Sequence, residues 1–255
     1  MNELRGAVAV VTGAAGGLGR AIVDGLAEAG ATPVLLDIDE AGLVEAARGR
    51  PFLTIVSDVT DAAALDDAAA RTVREHGRCD ILINNAAILE RAMLENHPIG
   101  LWDRIIDVNL TGYFRATQSF GRLMCSGGGG AVVNVASAAA EAPSLGNAAY
   151  CASKAGVLAL TRQTAVEWGP HGVRANAVSP VYMDTPMTTA IGDVPDEVER
   201  RTRSVPLGRI GHVDEVARVV VFLAGPRASY LNGINVPVDG ALAQARAGGW
   251  QGPDT

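Results

Sequence analysis

The sequence predicts an α/β fold: one domain with a seven-stranded, doubly wound parallel sheet and helices on both faces. Two observations carry this. Short β-rich runs alternate with longer Ala-rich runs of helical spacing along the whole chain. Several of the short runs are apolar throughout, as strands buried on both faces are.

The first strand is Ala7–Val11, and "TGAAGGLG" leads from it into a helix over Leu18–Ala29. Thr32–Leu36 is the second strand, with Asp37 at its end and Asp39 as N-cap of a helix over Glu40–Arg48. Phe52–Val56 follows, then Asp58 and Asp61 ahead of the helix Ala62–His76. Ile81–Ile83 ends in "NNAA", and an apolar stripe makes Leu101–Met124 one helix. The "GGGG" at 127–130 reads as the loop into Ala131–Val135. Cys151–Trp168, rich in small residues, leads to Arg174–Val178, and Val213–Leu223 precedes the last strand, Asn235–Val238. Met187–Pro206, polar and bounded by prolines, reads as a helical lid over a substrate, and residues 245–255 as a loose tail. No linker divides residues 1–255.

Composition narrows the function. With 48% hydrophobic and 19% charged residues the chain is globular, and its net charge of −7 without a basic cluster excludes nucleic acid as the expected partner. Cys79, Cys125 and Cys151 are odd in number and widely spaced, which fits a reducing interior rather than disulfides or zinc. No pair of histidines has metal-ligand spacing, so no metal is expected. The longest uncharged stretch is broken by glycines and carries Asn134 and Ser137, which argues against a membrane span. The expectation is a cytoplasmic protein.

Two motifs carry chemistry. Gly13, Gly17 and Gly19 stand between a strand and a helix, where glycine permits a tight turn and close approach to a pyrophosphate, and the helix N-terminus offers free N–H groups. Asp37 would accept from both ribose hydroxyls of an adenosine and repel a 2′-phosphate, and no Arg or Lys stands at 14–16 or 38. Both features favour NAD; the bland alternative for Asp37 is a helix cap. Asp58 suits either an adenine amino group or a turn, and Asn84 and Asn85 suit either a strand brace or the second ribose. The second motif is "AAYCASKAG": Tyr150 and Lys154 lie one helical turn apart on one face. Such a pair often only packs stem against ring. A phenol's pKa of about 10 is too high for a base at neutrality, and a nearby cation would favour the phenolate.

In this order the motifs resemble the short-chain dehydrogenase/reductase family over nearly the whole chain. "TGAAGGLG", "NNAA", "VNLTG", "NVAS" and "YCASK" carry the likeness, with "RANAVSP", "VPLGRIGHVDEVA" and "NGINVPVDG" as later landmarks. The resemblance implies a Rossmann fold and an NAD(H)-dependent alcohol dehydrogenase or ketoreductase. Tyr150 would be the acid/base, Lys154 would hold the nicotinamide ribose and stabilise the phenolate, Ser137 would polarise the substrate oxygen, and Asn109 would support a water link to Lys154. The cofactor would lie along Gly13, Gly17, Leu18, Gly19, Asp37, Ile38, Asp58, Val59, Asn85, Ala86, Tyr150, Lys154, Met183 and Thr185. It also implies a homotetramer, with Leu101–Met124 and Cys151–Trp168 at one interface. The chain departs at Val181 and Ala87, where the family has glycine. The expected substrate is a secondary alcohol or its ketone: a polyol, sugar, cyclic alcohol or secondary metabolite. Two rivals are a 3-ketoacyl-(acyl-carrier-protein) reductase, disfavoured by Asp37, and a non-catalytic nucleotide-binding scaffold.

Overall fold

The computed structural model describes residues 2–184 and 195–248. Seven strands run β1 Val8–Thr12, β2 Thr32–Asp37, β3 Leu53–Val56, β4 Ile81–Asn84, β5 Gly130–Val135, β6 Val173–Pro180 and β7 Asn235–Val238. They form one sheet in the order β3-β2-β1-β4-β5-β6-β7 with every pair parallel. The described helices are α1 Gly17–Glu28, α2 Glu40–Ala47, α3 Ala62–His76, α4 Ile99–Ile106, α5 Gly112–Gly127, α6 Ala148–Trp168, α7 Pro195–Ser204, α8 Val213–Ala224 and α9 Leu242–Ala247. All seven expected strands are present, with ends moved by a residue or two.

Alternation along the strands sorts the core into two layers. Ala9, Val11, Leu35, Ile83, Val133 and Val178 face α1, α2 and α8, while Val8, Val10, Val34, Leu36, Leu82 and Val132 face α3, α5 and α6. The two central strands also share a polar crossing. Asn84 and Asn134 are register partners on β4 and β5, and the Asn84 amide donates to Asn134 Oδ1 at 2.8 Å and Thr117 Oγ1 at 3.0 Å. Asn134 in turn donates to Thr161 Oγ1 at 2.9 Å. Of the two sequence readings, Asn84 is thus the strand brace.

One expected helix is divided. Leu101–Met124 is not one α-helix: the ladder widens into a π turn over Asp107–Thr111 between α4 and α5. The inserted residue shifts the phase of the helix. Asn109 thereby becomes fully buried, against α6 and the segment after β4. The helix ends match local chemistry elsewhere. Asp39 caps α2 by accepting from Gly42 N at 3.0 Å, and Asp61 caps α3 by accepting from Ala63 N and Ala64 N. Of the expected lid over 187–206, residues 195–206 are described and carry α7; of the expected tail, 245–248 are described, in α9 and its end.

Candidate functional site

The C-terminal ends of the parallel strands gather the motifs, as the crossover rule of such sheets requires. After β1 the chain turns at Gly13, whose φ of +66° is left-handed and whose added Cβ would stand 2.7 Å from Ala86 Cα. The Asn85 amide holds this turn by donating to Gly13 O at 2.9 Å and Thr12 O at 3.1 Å. Thr12 Oγ1 accepts from the backbone of Asn85 and Ala86. Asn85 is therefore a brace of the turn through its side chain. Gly19 is equally constrained, since a Cβ there would lie 2.1 Å from Gly13 O.

No side chain caps the start of α1 at Gly16, and no acid stands in its first turn. The first N–H groups of the helix, on Gly17, Leu18 and Gly19, thus face the cleft without a side-chain partner. At the next strand Asp37 accepts from Ala15 N at 3.0 Å through one oxygen and from Asp39 N at 3.1 Å through the other. Each oxygen keeps a further lone pair. Ile38 beside it is largely exposed. Asp58 accepts from Thr60 N at 2.8 Å, so it does shape a turn, with its second oxygen turned to no described partner. Val59 is buried against Gly112 at the start of α5, where an added Cβ would meet it at 2.8 Å. Met183 is buried and packs its sulphur against Gly211, so its side chain belongs to the core. Thr185 lies outside the described residues. Free helix N–H groups, a glycine turn too tight for any Cβ and a carboxylate at the end of β2 form a donor and acceptor set that fits a dinucleotide.

Around the end of β5 the second motif assembles. Ser137 stands in extended backbone and accepts from Ala139 N at 3.1 Å, and its side chain acts on the Tyr150 phenol, lowering its pKa. Asn109 clamps Ile88 with both ends of its amide, accepting from Ile88 N at 2.8 Å and donating to Ile88 O at 2.9 Å, and it reaches Ser153 at 3.4 Å. Ser153 donates to Tyr150 O at 2.7 Å, tying the clamp to the catalytic-type turn of α6. Lys154 is 1% exposed; its ammonium donates to Val135 O at 2.8 Å and Tyr113 Oη at 3.0 Å. The structure thus brings Asn109, Ser137, Tyr150 and Lys154 together, with Asn109 and Lys154 buried and Ser137 and Tyr150 half-buried.

Burial pushes the Tyr150 phenol above its usual value, and the Ser137 side chain pulls the other way. The Lys154 ammonium is 5.8 Å from the Tyr150 ring centroid, and its two bonds go to Val135 and Tyr113. Burial lowers Lys154 itself from 10.5 to about 7.

Tyr113 is the residue that sequence reasoning missed. It is fully buried four residues after Asn109, one turn further on across the π segment, and that spacing was its only signal. Nearby, Ala92 N donates to Gly146 O at 2.9 Å, and Asn235 Nδ2 donates to Glu141 Oε1 at 3.0 Å. Val181 lines a cavity of about 290 Å³ with Met183, Val205, Leu207 and Asp239, beside the ends of β6 and β7. Tyr150, Lys154 and Ser137 do not line it. Among the described residues no His, Cys, Asp and Glu cluster could hold a metal ion, and no helix is long and apolar enough to cross a membrane.

Comparison with known proteins gives concordant matches. A family model described as enoyl-(acyl carrier protein) reductase matches residues 13–242. The chain is 39% identical over 246 residues to a D-threitol dehydrogenase of Mycolicibacterium smegmatis, covering 93% of each. It is 38% identical over 239 residues to an NAD-dependent glycerol dehydrogenase of Listeria innocua, covering 91% of this chain and 92% of the relative. A crystal structure of a gluconate 5-dehydrogenase from Burkholderia cenocepacia with NADP and tartrate superposes with a TM-score of 0.90 at 33% identity, covering 96% of this chain and 98% of that one.

Proposed function

Because the chain belongs to the short-chain dehydrogenase/reductase family, and so is an oxidoreductase of secondary alcohols and their ketones, we propose that it works with NAD(H) on a small hydroxylated substrate. The observation that carries the reading is the grouping of half-buried Ser137 and Tyr150 with buried Lys154 beside the end of β5, with β4 between it and the glycine turn. In oxidation the Tyr150 phenolate accepts the proton of the substrate hydroxyl; in reduction the phenol returns it. Ser137, beside that phenol, donates to the substrate oxygen and holds it in line. Asn109 keeps the Ile88 backbone and, through Ser153, the Tyr150 turn in place. Lys154 supplies the positive charge that favours the phenolate.

When bound, the dinucleotide supplies a hydride acceptor or donor and, oxidised, a further positive charge. Gly13, Gly17, Leu18 and Gly19 would hold its pyrophosphate and Asp37 its adenosine ribose. Ile38, Asp58, Val59, Asn85, Ala86, Met183 and Thr185 would line the remainder. The preference for NAD rests on the Asp37 carboxylate at the end of β2, which would repel a 2′-phosphate. The names of relatives and neighbours include both NAD and NADP, so this residue decides the reading. Substrate class follows the relatives' names toward polyols: threitol and glycerol. Exposed Phe114 on α5 and Val166 on α6 support self-association, for which light scattering in solution is the check.

The test is turnover on a panel of polyols, cyclohexanols, hydroxysteroids and 3-hydroxyacyl thioesters, with NAD⁺ and NADP⁺ in parallel. A polyol oxidised with NAD⁺ and lost in Tyr150→Phe supports the reading. Activity confined to 3-hydroxyacyl thioesters supports the carrier-protein reductase instead. Cofactor binding without any turnover supports a scaffold.

A further inference from the structure

We propose that Tyr113 is a positioning residue for Lys154, holding its ammonium charged and fixed behind Tyr150; this deepens the acid/base reading above and rests on it. The geometry is specific. Tyr113 Oη donates to Val135 O at 3.0 Å, and Lys154 Nζ donates to the same carbonyl at 2.8 Å. Nζ also donates to Tyr113 Oη at 3.0 Å, so the three atoms close a triangle. The direction of each bond follows. The phenol's one proton is committed to Val135, which leaves its lone pairs as the acceptor for the ammonium. The ring adds a second attraction, because Nζ stands 4.6 Å from its centroid and faces the electron-rich side.

This arrangement matters because Lys154 and Tyr113 are buried. An ammonium removed from water favours its neutral form unless it has acceptors. Among the described residues, the groups that bond or face Lys154 include no carboxylate. Tyr113 comes from α5, a backbone carbonyl from β5 and Tyr150 from its own helix. From the π turn, Asn109 is committed to Ile88, and Asp107 is paired with Arg115 at 2.7 Å. On α4, Asp103 and Arg104 are exposed, and Arg104 is paired with Glu90. Tyr113 is therefore the one described side chain that hydrogen-bonds the ammonium. It stays a neutral phenol, since burial pushes its own ionisation well above the usual range. Two of the three ammonium protons are used, and the third remains for work at the site.

Tyr113→Phe isolates the hydroxyl, because the ring and its packing stay. The readout is the near-ultraviolet phenolate absorbance of the NAD⁺-saturated protein against pH, with kcat/KM profiles on whichever alcohol turns over. Loss of a hydrogen bond to a charged group is expected to move the first phenolate titration and the acid limb of kcat/KM upward by about one pH unit. That is about a tenfold loss of kcat/KM on the acid side. In a Lys154→Met background the same substitution adds nothing. Profiles that overlay the wild type, move downward, or shift equally without Lys154 overturn the proposal. Tyr150→Phe is the control: if it leaves the first phenolate signal and turnover intact, the acid/base reading itself has failed. Should Tyr113→Phe not fold, Tyr113→Met carries the same test, since methionine fills space and accepts only weakly.

Discussion

Replacing Gly19 with alanine sets two effects of opposite sign against each other. Inside α1 the exchange should favour the helix by up to about 1 kcal/mol. The new Cβ, however, lies 2.1 Å from Gly13 O and 2.9 Å from both Gly13 C and Ala14 Cα. All three atoms are backbone of the turn that Asn85 braces, so no rotamer change relieves the contact. Restoring ordinary separation means opening the turn by about 1 Å, and overpacking of this kind costs roughly 1–3 kcal/mol, here toward the upper end because the backbone must move. The clash wins by about 2 kcal/mol, which for a chain of 255 residues lowers the melting midpoint by roughly 4–8 °C. Because the displaced backbone carries the N–H groups aimed at the pyrophosphate, NADH affinity should fall at least about tenfold. Gly16→Ala is the stability control: φ is an ordinary −75° and the nearest atom stands 3.6 Å from the added Cβ, so the midpoint should stay within about 2 °C. Thermal melts and NADH fluorescence titrations decide it. A Gly19→Ala protein that melts and binds NADH like the wild type refutes the reasoning.

Cofactor choice is expected to invert in Asp37→Ser/Ile38→Arg, because the carboxylate is removed and the arginine enters at a solvent-facing position; side-by-side kcat/KM with NAD⁺ and NADP⁺ is the check. Lys154→Met should abolish turnover yet melt at or above the wild type near pH 7, since it removes a buried ammonium while Tyr113 and Val135 keep their mutual bond. Burial lowers the Lys154 pKa from 10.5 to about 7, so the unfolded chain holds a proton that the folded chain releases between those values. Stability from this group therefore rises as pH climbs from about 7 toward 10.5; the rise should be present in the wild type and absent from Lys154→Met.

The strands were legible because their signal is local. Runs such as Val8–Val11 and Ile81–Ile83 are apolar on both faces, and the glycine turn marks where the first one ends. Asp37, Asp39 and Asp61 could be read from their places beside predicted element ends, and the structure puts each there. The π turn was not legible, since "DVNLT" continues a helical pattern and one extra residue in a ladder leaves no compositional mark. Tyr113 escaped for a related reason: its link to Lys154 spans 41 residues and depends on that phase shift. The direction of the Lys154 ammonium was equally hidden. Spacing places two side chains on one face of a helix, but which neighbour the longer one reaches depends on what the adjoining strand and helix offer.

The Asn84–Asn134 crossing answers a question of addressing. β4 and β5 present Ile-Leu-Ile against Ala-Val-Val, and a slip of two residues would set similar aliphatic groups on the same faces. Grease alone is a message that reads nearly the same when shifted. The two amides and the hydroxyls of Thr117 and Thr161 act as an index mark, since only one alignment lets them find each other in the dry interior. Every other alignment breaks these bonds. The asparagine pair thereby fixes how far β4 and β5 stand relative to one another, and so the height at which the segments carrying Asn85 and Ser137 leave the sheet.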